Sequence, residues 1–344
     1  MSITAPVTDI IVVGAGISGL SLTHYLHTQL QYQSVHIIEK SSGVGGRIAT
    51  RRNIIPCSIA LFDHGAQWYK LRPETEYIHN ILHTHQQCRL WFTQKKDSTV
   101  ESMYSSNSGG MNQLCKYIRN DGKLNIEFNK KLIGMELYNN NTQWKLIYDN
   151  KTESICNQLI LCVPVPQALE LLNNSNIRYN HNLNDIQYAK ALCALIEFNV
   201  SCHGNHNTIQ VGEYGQIENI NNNIHSITDQ HAKGTSPVPA WTVIMTPAWS
   251  DKHYNESDND VLQLIVEQIQ LLYPSIDITA KQLKKWRYSH STAKPDKNRM
   301  IEIVSSTPLL MLVGDGLGGG SIAGAMRSTV AAMNYLKQIH KSAL

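Results

Sequence analysis

The sequence predicts an α/β protein: a Rossmann-type dinucleotide-binding domain with a second, α+β domain inserted into it. Three observations carry that prediction. A strand, a glycine turn, a helix, a strand and an acid succeed one another from Asp9 to Glu39; a strand, a glycine turn and a helix recur from Leu309 onward; and between Ile177 and Ile276 the chain becomes rich in Asn, His and aromatics. Two such glycine turns, far apart in one chain, are what a dinucleotide domain uses when another domain interrupts it.

In the first unit, Asp9-Ile10-Ile11-Val12-Val13 reads as a buried strand and Gly14-Ala15-Gly16-Ile17-Ser18-Gly19 as the turn into a helix ending near Leu30. Val35 to Ile38 forms a second strand closing on Glu39. Gly14 permits the tight turn, Gly16 lets backbone N–H groups approach a pyrophosphate, and Gly19 lets the helix pack closely on the strand. Phosphates would then sit at the helix N-terminus, where unpaired N–H groups and the dipole favour negative charge. Glu39, 20 residues beyond Gly19, can accept hydrogen bonds from ribose hydroxyls and disfavours a 2′-phosphate. NAD and FAD share this unit.

Two further glycine turns favour FAD. Lys40-Ser41-Ser42-Gly43-Val44-Gly45-Gly46-Arg47 sets three glycines and a fixed charge just beyond the acid, where a simple NAD domain has an ordinary strand-to-helix loop. Leu309 to Val313 runs into Gly314-Asp315-Gly316-Leu317-Gly318-Gly319-Gly320, ahead of a helix reaching about His340. Two-electron reduction leaves negative charge near flavin N1 and C2=O, which a positive helix end stabilises. Asp315 could accept from ribityl or ribose hydroxyls. Leu61 to Tyr69, holding Asp63-His64-Gly65-Ala66-Gln67-Trp68, reads either as one wall of a ligand site or as packing at a domain boundary.

The remaining pattern predicts helices over Pro73 to Cys88, after Gly109-Gly110-Met111 and over Gln167 to Leu172. Strands are expected at Arg89 to Phe92, Leu124 to Phe128, Leu132 to Leu137, Trp144 to Tyr148, Asn157 to Val163, Leu192 to Val200 and Trp241 to Met245. The Asn139-Asn140-Asn141 turn indicates an antiparallel hairpin.

With 344 residues and a net charge of +3, the chain gives no electrostatic case for nucleic acid or an anionic membrane, and small-molecule partners are expected. No signal-like segment and no apolar run near the roughly 20 residues of a membrane span is present, so a soluble, cytoplasmic protein is expected. The seven cysteines, Cys57, Cys88, Cys115, Cys156, Cys162, Cys193 and Cys202, are odd in number and lack C-x-x-C spacing, which suits reduced thiols. Cys202-His203-Gly204-Asn205-His206 crowds its candidate ligands into one loop, and no metal is expected. His24 and His27, without a paired carboxylate nearby, read as surface residues.

Gly14-Ala15-Gly16-Ile17-Ser18-Gly19, Gly45-Gly46-Arg47, Asp63-His64-Gly65-Ala66-Gln67, Gly110-Met111, Trp286-Arg287-Tyr288 and Gly314-Asp315-Gly316 occur in the order and spacing of the flavin amine oxidase superfamily. Within it the chain most resembles the compact renalase branch. The resemblance implies a fold like p-hydroxybenzoate hydroxylase and tightly but non-covalently bound FAD. It further implies oxidation of dihydro-isomers of NAD(P)H to NAD(P)+ by hydride transfer to flavin N5, with O2 reduced to H2O2, so a nicotinamide dinucleotide is the partner it suggests.

The cofactor contacts this assigns are Gly14, Gly16, Ile17, Ser18, Gly19, Glu39, Lys40, Gly46, Arg47, Gly65, Ala66, Gln67, Gly314, Asp315, Gly324 and Ala325. Trp68, Trp286, Arg287 and Tyr288 are the expected pocket wall. No catalytic residue is singled out, because hydride transfer between aligned rings needs little acid–base machinery. The cofactor domain is expected over residues 1–72, 104–165 and 287–344, and the substrate domain over 73–103 and 166–286. Two departures stand out: Ile244 where renalases often carry His, and Ser328-Thr329 where the superfamily commonly has Ser-Gly. With no cysteine after Cys202, a C-terminal cysteinyl-flavin bond is not expected. Oxidation of an amine or another small molecule on the same flavin, and a non-catalytic flavin-binding protein, are the competing readings.

Overall fold

The computed structural model describes residues 7–96, 98–199, 211–296 and 298–343. The first sheet has eight strands, six of them in the order Glu302–Ser306, Leu309–Leu312, Glu153–Leu161, Val7–Val13, Val35–Ile38 and Asn125–Glu127. The last five of these run parallel. Glu153–Leu161 is where the sheet branches. Its first half pairs with the hairpin Leu132–Tyr138 and Gln143–Tyr148, its second half with Leu309–Leu312.

Alternation along Val7–Val13 explains why both faces of this sheet are covered. Ile10 and Val12 point into a core shared with the helices Ile17–Thr28, Asn112–Asp121 and Ile322–Ala343. Ile11 and Val13 point into a second core with Val165–Asn174 and the hairpin, where Trp144, Leu146 and Tyr148 are buried. The first helix is buried almost all round, including Ser18, Ser21, Thr23 and His24.

The second large sheet has five antiparallel strands in the order Gln216–Glu218, Ile224–Asp229, Ala240–Met245, Tyr188–Asn199 and Asp277–Ser291. The helix Asp258–Leu272 covers one face of it, packing Val261, Ile265 and Ile269 with Ile196, Trp241 and Val243. Smaller sheets join Tyr69–Lys70, Thr99–Ser106 and Cys88–Lys96, and Thr50–Arg52 with Leu61–Asp63. Among the described residues no helix is long and apolar enough to cross a membrane.

Several elements differ from their sequence-based expectation. The short strand at Arg89 to Phe92 is one arm of a hairpin, Cys88–Lys96 with Thr99–Ser106. Polar residues along most of its second arm conceal the strand. Asp277–Ser291 is a long strand whose Lys281, Lys284, Lys285 and Arg287 mask its pairing along Tyr188–Asn199. The helix from Pro73 opens as a 3-10 turn, Pro73–Thr75, before Glu76–Thr84.

His24 is not a surface residue. It is buried, and its ring joins Tyr77 Oη at 2.8 Å to Asp121 Oδ2 at 2.9 Å. The carboxylate partner lies 97 residues along the chain, beyond any helical spacing rule. His27 is half-buried. The loop Cys202-His203-Gly204-Asn205-His206 lies outside the described residues.

Candidate active site

A cavity of about 1590 Å³ is lined by all three glycine turns and by the five-stranded sheet. A pocket for one drug-sized ligand measures roughly 300–1,000 Å³, so this space can take a dinucleotide and a substrate together.

At its first end, Gly14 adopts φ +108, and a Cβ there would stand 2.6 Å from the Cys162 carbonyl oxygen. The first helix begins at Gly16 with no side-chain cap and no acid in its first turn. Its first N–H groups are therefore free for an anion. A Cβ on Gly16 would meet nothing within 4 Å, so its Cα looks into open space. The second glycine turn lies directly alongside, with Gly45 N donating to Ala15 O at 2.9 Å. A Cβ on Gly46 would meet only the Gly16 Cα, at 3.6 Å. Glu39 is buried; its Oε2 accepts from Ala15 N and its Oε1 from Ser41 N, each at 2.8 Å. Each oxygen keeps acceptor capacity for a ribose hydroxyl. Glycine turn, bare helix end and carboxylate fit the adenosine diphosphate half of a dinucleotide.

Further in, Arg47 grips Asp315 through two parallel bonds of 2.6 Å, Nη1 to Oδ2 and Nη2 to Oδ1. Tyr188 Oη donates to Asp315 Oδ1 at 3.0 Å, and the guanidinium stands 5.5 Å from the Tyr188 ring centre. Burial alone would lower the Arg47 pKa, but the charge and hydrogen bonds of Asp315 raise it. Two residues expected to meet the ligand separately are thus joined to each other, fastening the second glycine turn to the third.

The segment from Asp63 to Gln67 closes this region. Ala66 N donates to Arg47 O at 2.9 Å, and a Cβ on Gly65 would collide with the same oxygen at 2.0 Å. Gln67 turns its side chain inward, donating to Asp63 O at 2.6 Å and accepting from Gln230 Nε2 at 2.9 Å. Asp63 is wholly buried. Its carboxylate accepts from Thr50 Oγ1 (2.5 Å), Met111 N (2.8 Å), Lys233 Nζ (2.8 Å) and Thr235 Oγ1 (3.3 Å). Lys233 is equally buried, and desolvation lowers its pKa. Sequence reasoning passed over Lys233, whose polar surroundings resemble a solvated loop.

All four expected wall residues, Trp68, Trp286, Arg287 and Tyr288, line the cavity. Trp286 stacks on His64 with ring centres 5.2 Å apart and donates its Nε1–H to the His64 carbonyl at 2.7 Å. His64 lines the cavity as well, and its Nδ1 is buried without a partner among the described residues. Burial and the nearby charge of Lys284 push its pKa down to about 4, so the ring is neutral. Tyr288 meets Tyr188 edge to face at 5.8 Å, while Arg287 is exposed.

Of the expected cofactor contacts, Ile17, Ser18, Lys40, Ala66, Gly314 and Ala325 also line this space. Gly19 and Gly324 stand behind it. A Cβ on Gly19 would lie 2.0 Å from Gly14 O, and one on Gly324 would lie 1.3 Å from Gly319 O. Both glycines let a helix lie against a turn. The two sequence departures have structural counterparts. Ser328 Oγ accepts from Gly314 N at 2.9 Å and so braces the third glycine turn. Ile244 lines the cavity, and His225, on the neighbouring strand, lines it too.

Parallel sheet, bare helix end and acid at the second strand define a dinucleotide-binding oxidoreductase fold. The model of the flavin-containing amine oxidoreductases matches residues 64–333, and that of an NAD(P)-binding Rossmann-like domain matches residues 12–83. The chain belongs to the flavin-containing amine oxidoreductase family, and it is a flavin-dependent oxidoreductase. Among solved structures it is similar to a putative protoporphyrinogen oxidase from Exiguobacterium sp. 255-15 (TM-score 0.74, 10% identity, 97% of this chain and 99% of that one). It is also similar to a protein from Pyrococcus furiosus (TM-score 0.62, 12% identity, 96% and 98%). At such identities the likeness concerns the fold. A search of curated proteins found no match.

Proposed function

We propose that the chain holds FAD non-covalently and oxidises a dihydro-isomer of NAD(P)H. The substrate ring gives up a hydride and becomes the aromatic NAD(P)+; the hydride, one proton and O2 leave as H2O2. The observation that carries this reading is the character of the cavity wall around Trp286, a stacked Trp286–His64 pair whose imidazole is neutral at physiological pH. The two buried carboxylates of the cavity, Glu39 and Asp315, already accept hydrogen bonds from the protein. Such a wall aligns flat rings and excludes water and does little else, which suits hydride transfer.

Bound flavin supplies the two-electron acceptor. Gly14, Gly16 and the first helix would hold its pyrophosphate, Glu39 its adenosine ribose, and the turns carrying Arg47 and Asp315 its other half. Non-covalent binding is supported by the cavity thiols: burial pushes Cys162 and Cys193 up to about 12, far from nucleophilic thiolates. Residues 1–72, 104–165 and 287–344 then make the cofactor domain, and 73–103 with 166–286 the substrate domain. The buried free thiols suit a reducing cytoplasm, which we take as the compartment.

The absorption spectrum before and after acid denaturation tests cofactor and linkage together. A yellow protein that releases free FAD is the expected result. On anaerobic mixing, 2-dihydro-NAD should bleach the flavin promptly and amines should not. A protein that retains no flavin after reconstitution, or one bleached by amines alone, overturns the reading.

A further inference from the structure

A side chamber of about 270 Å³ adjoins the main cavity. Four strands of the five-stranded sheet supply its walls, contributing His225, Ile244, Lys190 with Ala191, and Ser289 with His290. The strands bearing the two histidines are separated by those bearing Ile244 and Ala191. Two imidazoles thus flank a small apolar floor, and both also line the main cavity.

Lys190 meets Asp251 at 3.0 Å and lies over the Tyr254 ring; Arg47 and Asp315, the charges His290 senses across the cavity, are bonded to each other. Glu218, on the strand beside His225, accepts from Gln216 Nε2 at 2.7 Å. Neither imidazole has a hydrogen-bond or carboxylate partner among the described residues. Burial and the neighbouring His225 hold the His290 pKa below its ordinary value.

We propose that this chamber is the subsite for the phosphate of the substrate nucleotide, with His225 and His290 donating to its oxygens from either side. The proposal deepens the nucleotide-oxidase reading and rests on it for the direction in which the ring points. A phosphate held between the two rings can accept an N–H from each, and its oxygens would satisfy ring nitrogens that have no hydrogen-bond partner among the described residues. Ile244 and Ala191 bring no acceptor that would compete.

The test compares nicotinamide mononucleotide with nicotinamide riboside, which lacks only the phosphate. Binding to the holoprotein is read from the flavin spectrum and from the imidazole NMR signals of His225 and His290. The mononucleotide should bind about tenfold or more tightly, with the advantage vanishing in His225→Ala/His290→Ala. Equal binding of the two compounds to the wild-type protein overturns the proposal without need of a variant. If both nicotinamide compounds fail while inorganic phosphate shifts the two imidazole signals, the anion site stands and the nucleotide reading falls. If phosphate shifts neither signal, the site itself falls.

Discussion

His64 shows how one side chain can carry a pH dependence for the whole protein. Its pKa lies near 4 in the fold and near 6.5 in an open chain. Above about pH 6.5 both states are neutral at this ring and it contributes no slope. Between the two values the unfolded chain takes the proton and the folded one does not, so stability declines as the pH is lowered, by up to about 3 kcal/mol at pH 4. Denaturant unfolding at pH 7 and pH 4.5 should show that loss in the wild type and a smaller one in His64→Gln. An identical decrement in both proteins would mean that other groups carry it. Glu39 acts locally by contrast, tying Ala15 N and Ser41 N to the end of the second strand.

At the level of elements, the first glycine turn separates two roles that a motif merges. Gly16→Ala adds a methyl group to open space at an ordinary φ of −79. It should leave urea unfolding within about 0.5 kcal/mol of wild type while weakening flavin retention. Gly19→Ala drives a methyl group into Gly14 O. That should cost roughly 1–3 kcal/mol or more, visible in apoprotein unfolding, and equal losses in the two variants would refute the division. The turn, helix and acid could be read from sequence because every signal lies within one local unit. The Trp286-Arg287-Tyr288 wall was visible as a motif, whereas its strand was hidden because Lys281, Lys284, Lys285 and Arg287 break the apolar alternation of a half-buried strand. His24 with Asp121, and Asp63 with Lys233, could not be read at all: their partners are 97 and 170 residues apart, and no local pattern encodes such pairs.

Across the whole molecule, the Asp63–Lys233 pair joins the strand Leu61–Asp63, the Gly110-Met111 turn and the segment just beyond Ile224–Asp229. Removing one partner strands a buried charge. Lys233→Met should therefore cost about 3–5 kcal/mol, whereas Asp63→Asn/Lys233→Met should cost less than the two single changes added together. Strictly additive losses in denaturant unfolding would show that the pair does not act as a unit. The bidentate clasp of Arg47 on Asp315 spans the chain more widely still, 268 residues. Ribosomes add roughly 5–20 residues per second, so Arg47 is made about 13 to 54 s before its partner. Throughout that interval the nascent chain can form its first glycine turn but not the clasp. A pause in translation shortly before Asp315 would lengthen the time for which Arg47 exists without its partner.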